Sequence, residues 1–188
     1  RGADNFTLET LEAGCDYAHL RGVKIYMTVN TVIMPDEFER ALELVRQGYR
    51  RGVDAFIVQD IGLAREGSRV APDANLHIST QMNTHNSAGI AASAALGAKR
   101  VTLAREISLL EMRHLCDQAH DLGMQVEVFG HGALCICYSG QCYLSSLAGG
   151  RSANRGMCAQ PCRLPYELHD SALRKLVDSD GDRLLSPK

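Results

Sequence analysis

Short β-branched runs alternate with longer helical patterns through the first 130 residues. The short runs are Lys24 to Asn30, Ala55 to Asp60, Leu76 to Asn83, Arg100 to Arg105 and Gln125 to Gly130. Each is brief and apolar, as strands covered on both faces are. Between them the apolar positions recur at helical spacing. Thr7 to Leu20 carries Leu8, Leu11, Cys15 and Ala18, and Asp36 to Arg50 carries Phe38, Leu42, Val45 and Tyr49. Asn86 to Leu96 is Ala-rich. Ser108 to Leu122 opens with a Ser cap and a Glu three residues later, the signature of a capping box.

Glycines punctuate the pattern. Gly22, Gly52, Gly97 and Gly123 each stand between a helical segment and the next strand. A Gly just past a helix supplies the left-handed residue that ends it. This βαβα rhythm predicts a parallel sheet with right-handed crossovers. Five strands suit a doubly wound sheet or part of a (β/α)8 TIM-like barrel. The barrel is favoured, because polar residues recur at strand ends: Asn30, Gln59 with Asp60, Gln81 with Asn83, Arg105 with Glu106, and His131. In a barrel those ends converge on one mouth. A barrel of this kind takes about 250 residues, so this chain of 188 is expected to be incomplete by two or three strands.

Composition narrows the function classes. Hydrophobic residues make up 45% and charged residues 22%, with a formal net charge of −2. That excludes global disorder and gives no chain-wide attraction to nucleic acid. No stretch approaches the roughly 20 apolar residues of a membrane span. Arg1-Gly2-Ala3-Asp4 shows neither an initiator Met nor an apolar signal region. Seven cysteines, an odd number without a secretion signal, point to a reducing, cytoplasmic setting rather than a disulfide framework.

Past Gly130 the rhythm stops. Residues 131–165 are rich in Gly, Ser and Cys and lack a long periodic run. The expected organisation is a partial barrel over 1–130 and a Cys-rich metal-binding loop over 131–165. Residues 166–188 then hold a hairpin around Asp180-Gly181 and the start of a last barrel strand. Cys135, Cys142, Cys158 and Cys162 are spaced C-x6-C-x15-C-x3-C, with Cys137 beside them. A loop so poor in large apolar residues cannot offset its ordering entropy by burial. Four thiolates on one metal centre would. Zinc and an iron–sulfur cluster both accept four thiolates, and the irregular spacing leans toward [4Fe–4S]. Buried free cysteines are the plain alternative, and Cys15 and Cys116 are read that way.

The run Glu127 to Cys135 (EVFGHGALC), then Tyr138 to Ser145 (YSGQCYLS), resembles the signature of the U32 peptidase, or collagenase-like protease, family. Arg151 to Gly156 (RSANRG) with Cys158 to Arg163 (CAQPCR) resembles the branch that acts in hydroxylation of a 23S ribosomal RNA cytidine. Sister branches hydroxylate a tRNA wobble uridine or assist ubiquinone ring hydroxylation. The resemblance runs over essentially the whole chain. Residues 1–30 match the segment after the second barrel strand, and Leu184 to Lys188 match the start of the eighth. It implies a U32 barrel whose Cys135, Cys142, Cys158 and Cys162 hold a [4Fe–4S] cluster, with Cys137 outside the ligand set. It also implies prephenate as a metabolite of the RNA-modifying branches, and RNA as partner. The first two strands of the family barrel are missing here.

Site candidates follow. His131 and Glu127 are the catalytic candidates, with Glu127 orienting His131 or binding substrate. An ion pair of Glu127 with Arg105 on the neighbouring strand is the plain alternative. Asn30, Asp60, Gln81, Asn83 and Arg105 are read as lining the barrel mouth. Arg151, Arg155 and Arg163 lie in a stretch without an acid and suit contacts to single-stranded RNA. Pairing of these arginines with nearby carboxylates is their alternative. Tyr138 and Tyr143 suit stacking of a flipped base, or packing under the loop. A peptidase reading needs a thiolate beside a His, which Cys135 and His131 allow in sequence. The chain has no G-x-S-x-G elbow and no H-E-x-x-H helix. A zinc-stapled, non-enzymatic module is the third reading.

Overall fold

The computed structural model describes residues 5–133 and 135–175. Five parallel strands form one sheet: β1 (Tyr26–Val29), β2 (Ala55–Val58), β3 (Asn75–Ile78), β4 (Arg100–Thr102) and β5 (Gln125–Glu127). Their spatial order follows the chain, β1-β2-β3-β4-β5. A doubly wound sheet reverses its order part-way. A sheet that steps one way, with right-handed crossovers, keeps its helices on one face, as a TIM-like barrel does.

The helices are α1 (Leu8–His19), α2 (Phe38–Arg50), α3 (Ile61–Val70), α4 (Ser87–Ala95), α5 (Leu109–Asp121) and the short α6 (Leu144–Gly149). The Ser108–Glu111 capping box forms as its spacing predicts. The Glu111 amide donates to Ser108 Oγ at 3.3 Å, and the Ser108 amide donates to Glu111 Oε2 at 2.7 Å. The four punctuating glycines adopt positive φ.

Strand residues of one parity face the helices. Val29, Val58, Ile78, Val101 and Val126 lie in register across the sheet. With Phe56, Leu76 and Leu103 they pack against Leu42, Val45, Leu63, Ile90 and Leu115. Burying each such aliphatic side chain stabilises by about 1.5–3 kcal/mol, so this layer dominates the fold's stability. The other parity makes the inner face, where Thr28, Ile57, His77, Arg100 and Gln125 line up. His77 is buried there with its edge against the Tyr26 ring at 4.9 Å.

Several boundaries differ from the sequence reading. The third strand ends at Ile78 rather than Asn83, because Ser79 accepts from the Gln81 amide and opens a 3₁₀ turn over Thr80–Met82. Asn83, at φ 57°, closes that turn. The fifth strand stops at Glu127. Helix α3 is an element the apolar pattern did not announce. Cys116 is half-buried rather than fully buried, whereas Cys15 is buried as expected. The hairpin around Asp180-Gly181 and the match at Leu184 to Lys188 lie outside the described residues.

Candidate functional site

The Cys-rich segment is docked onto the C-terminal ends of the strands at two places. The first is at the end of β4. Arg105 spreads its guanidinium across the segment from Cys135 to Ser139. Its Nη1 donates to the Cys135 carbonyl at 2.7 Å and its Nη2 to the Cys137 carbonyl at 2.8 Å. Its Nε and backbone amide both donate to Ser139 Oγ at 3.3 Å. Glu106 Oε1 accepts from the Ser139 amide at 2.8 Å. Ser139 is fully buried, and a buried hydroxyl with several partners fixes the backbone around it.

Gly140 follows directly, against the 3₁₀ turn. A Cβ on it would lie 1.8 Å from the Gln81 carbonyl oxygen, and its φ is +72°. Only glycine satisfies both conditions. The Ser-Gly pair is therefore where the loop meets the barrel.

The second anchor joins the loop to the segment after β1. Asn154 Oδ1 accepts from the Cys142 amide at 3.2 Å, while the Asn154 carbonyl accepts from the Val32 amide at 3.0 Å. Arg155 pairs with Glu37 through its two terminal guanidinium nitrogens, and its Nη1 also donates to the Val32 carbonyl at 3.2 Å. Ser145, at the start of α6, is buried and accepts from the Ala159 amide at 3.1 Å.

Five thiols stand on the anchored loop. Burial raises the Cys162 thiol first, and Cys135, Cys158 and Cys142 raise it further; only Arg163 pulls it down. Cys137 is pushed up to about 11 by burial, by a hydrogen bond with Cys142 and by the charges of Cys142, Cys135 and Cys162. Cys135 and Cys158 are exposed, and Cys137, Cys142 and Cys162 are half-buried. Among the described residues no three His, Cys, Asp or Glu side chains close to metal-ligating positions. The donor set is of the kind a four-thiolate centre uses: five thiols on one loop, of which four would suffice. Cys137 lies beside the other four, in hydrogen-bonding contact with Cys142.

The other candidates are placed as follows. Asp60 is the N-cap of α3, its Oδ1 accepting from the Leu63 amide at 2.8 Å. Asn30 Nδ2 donates to Ser79 Oγ at 3.3 Å at the strand ends. Near it the Gln59 Oε1 is buried without a hydrogen-bond partner. Gln81 lies on the 3₁₀ turn beneath Gly140, and the Asn83 carbonyl meets His85 Nδ1 at 2.7 Å. Glu127 is exposed on the edge strand and pairs with Arg100 at 3.4 Å, not with Arg105. The reason is register: Arg100 points into the same inner layer, while Arg105 lies past the end of β4. His131 is exposed and, among the described residues, makes no hydrogen bond, so Glu127 and His131 do not form a dyad. Arg155 is held by Glu37, a partner 118 residues away that the acid-free local sequence did not reveal. Arg151, Tyr138 and Tyr143 are exposed. Sequence reasoning missed Glu37, Glu106, Ser139 and Asn154 as site builders; Ser139 and Asn154 stood inside the recognised motifs.

Comparison with known proteins extends the picture. The chain is 44% identical over 172 residues to the 23S rRNA 5-hydroxycytidine C2501 synthase of Escherichia coli, a match covering 92% of this chain and 25% of that protein. It is 35% identical over 186 residues to tRNA hydroxylation protein P of Helicobacter pylori, covering 96% and 44%. A collagenase of Porphyromonas gingivalis is 32% identical over 198 residues, covering 100% and 47%. The chain thus spans less than half the length of these relatives. Among solved structures, the putative copper homeostasis protein CutC of Streptococcus agalactiae superposes with a TM-score of 0.55 at 12% identity, over 83% of this chain and 80% of that one, a likeness of fold alone. The profile of Peptidase family U32 matches residues 1–188, from before α1 to beyond the thiol loop. With the barrel-type sheet and that identity to its members, the chain belongs to peptidase family U32.

Proposed function

We propose that this chain is the catalytic-barrel part of a U32 protein acting in hydroxylation of an RNA base, with a ribosomal RNA cytidine as first substrate and tRNA as the sister choice. The observation that carries this reading is the thiol loop, locked to the barrel mouth by Arg105, Ser139 and Asn154. The relatives named for rRNA and tRNA hydroxylation support it.

Cys135, Cys142, Cys158 and Cys162 are the residues that would hold a [4Fe–4S] cluster. Bound there, such a cluster supplies one-electron redox chemistry over a wide range of potential. The chain's own residues do the rest. Arg105 and Ser139 orient the loop. Arg151, exposed, meets phosphate, and Tyr138 and Tyr143 offer ring faces to an unstacked base. Asn30, Gln59 and Ser79 present polar groups where prephenate, a small dicarboxylate, would enter the mouth.

A cysteine-peptidase mechanism has less support in the geometry. The His131 ring is exposed without a partner among the described residues, and the Cys135 backbone is tied to Arg105. Two measurements separate the readings. In cells lacking their own copy, the wild-type protein restores the hydroxylated base, read by mass spectrometry of total rRNA and tRNA, and Cys158→Ser does not. Full modification in the Cys158→Ser strain overturns the proposal. Thiol-sensitive cleavage of denatured collagen that survives iron chelation favours the peptidase.

A further inference from the structure

We infer that Arg105 is the positioning residue of the thiol site: its guanidinium fork fixes the backbone at Cys135 and Cys137 and so sets where their thiols stand relative to the other cysteines of the loop. The inference rests on the thiol loop being the working site, as proposed above. The geometry comes first. Both terminal nitrogens of Arg105 donate to loop carbonyls two residues apart, at 2.7 Å and 2.8 Å. A planar fork with a fixed separation between its nitrogens holds two acceptors at a set distance, which a flexible ammonium does not.

The fork is itself held. Its Nε donates to Ser139 Oγ, and Glu106 lies 3.8 Å from Nη2 while accepting from the Ser139 amide. The side chain is only 16% exposed, and its bonds to Cys137 and Ser139 are partly buried, while that to Cys135 lies at the surface. Bonds donated by a charged group are the stronger class. Pinning the carbonyls of residues 135 and 137 restrains the backbone between them, where Cys137 stands within hydrogen-bonding reach of Cys142 and Cys135 is at the surface.

Glu106 and the loop carbonyls, rather than a phosphate, account for the position of this arginine. It was read from sequence as a substrate contact at a strand end. Its Nε, Nη1 and Nη2 each donate to the loop, and its role is to organise the groups that meet substrate.

The test uses the chain purified without oxygen, as wild type, Arg105→Ala, Arg105→Lys and Ser139→Ala. Two readouts are taken: iron and sulfide per chain, and the rate at which iodoacetamide alkylates Cys137 in the reduced, metal-free protein, followed by mass spectrometry. Arg105→Ala is expected to keep the far-ultraviolet circular dichroism of the barrel. It should speed Cys137 alkylation by about tenfold or more, as loss of charged hydrogen bonds implies, and lower iron occupancy several-fold. Arg105→Lys, reaching one carbonyl, should fall between. Ser139→Ala should move the same way and serves if Arg105→Ala does not fold. Unchanged alkylation in Arg105→Ala or, where that variant fails to fold, in Ser139→Ala overturns the inference whatever the iron content. Wild-type protein without iron, but with alkylation controlled by Arg105, supports the inference and removes the cluster from the proposed function.

Discussion

The guanidinium of Arg155 grips the carboxylate of Glu37 with two hydrogen bonds, 2.6 Å and 2.8 Å, across 118 residues of chain. The pair fastens the far end of the thiol loop to the turn that precedes α2. It holds the Glu37 carboxyl down at about 2, chiefly through the Arg155 hydrogen bonds. A depressed carboxyl contributes stability that is fully present above its ordinary value of 4.5 and is lost as pH falls toward 2. Glu37→Gln is expected to flatten the acid limb of thermal stability in that window. An unchanged acid limb would count against the pair.

The same pair separates two arginines that look alike in sequence. Arg151→Ala should weaken binding of single-stranded RNA and lower the slope of log affinity against log salt by about 0.7, the loss of one phosphate contact. Arg155→Ala should lower the thermal midpoint and leave that slope unchanged. Filter binding across a salt series decides between them. Equal slopes for Arg151→Ala and wild type would remove Arg151 from the RNA surface.

Gly140 sets a sharper test of loop docking. Its missing Cβ is what lets the Gln81 carbonyl approach. In Gly140→Ala the left-handed backbone alone costs about 1–2 kcal/mol, and the 1.8 Å collision adds to it. The loop is expected to detach while the sheet and its helices persist. Limited proteolysis should then cut within residues 131–165 several-fold faster than in wild type. A variant as resistant as wild type would mean that the loop is held elsewhere.

The regular part of this fold was legible because it repeats. Helix-closing glycines, the Ser108–Glu111 cap and the strand runs each carry a local signal with a local cause. Helix α3 was less legible because Gly62, Gly67 and Ser68 dilute its apolar stripe, and the capping role of Asp60 at the end of β2 shows only once that helix is seen. The site was legible as a set of cysteines but not as a structure. What orders those cysteines are contacts between residues far apart in sequence, such as Arg105 with Cys137 and Glu37 with Arg155. No periodicity reports a partner that distant. Ser139 and Gly140 stood in the recognised motif, yet their reason for being there, one buried and one without a Cβ, is visible only against Gln81 and Glu106.

The capping role of Asp60 is testable. As a cap it accepts from the Leu63 amide, and Asp60→Ala should destabilise the protein by about 1 kcal/mol, with Asp60→Asn close to wild type because an amide oxygen caps as well. Chemical denaturation of the three proteins reads this directly. A residue acting on substrate instead would lose function in Asp60→Asn without losing stability.

His77 supplies the pH dependence near neutrality. It is buried on the inner face, and burial, with lesser contributions from Arg100 and Lys24, lowers its pKa from 6.5 to about 4. Its Nδ1 has no hydrogen-bond partner, so no group compensates a proton there. The unfolded chain binds that proton below about pH 6.5 and the native state does not until about 4. Stability is therefore full above 6.5 and falls as pH drops toward 4, by on the order of 3 kcal/mol in total. The Glu37 window begins only below 4.5, so the interval from pH 6.5 to 5 isolates the histidine. Denaturation midpoints measured across it should slope in the wild type and lose most of that slope in His77→Gln, whatever the variant's absolute stability. Parallel slopes in the two proteins would show that His77 takes its proton in the folded state and that the inner face is open to water at that point.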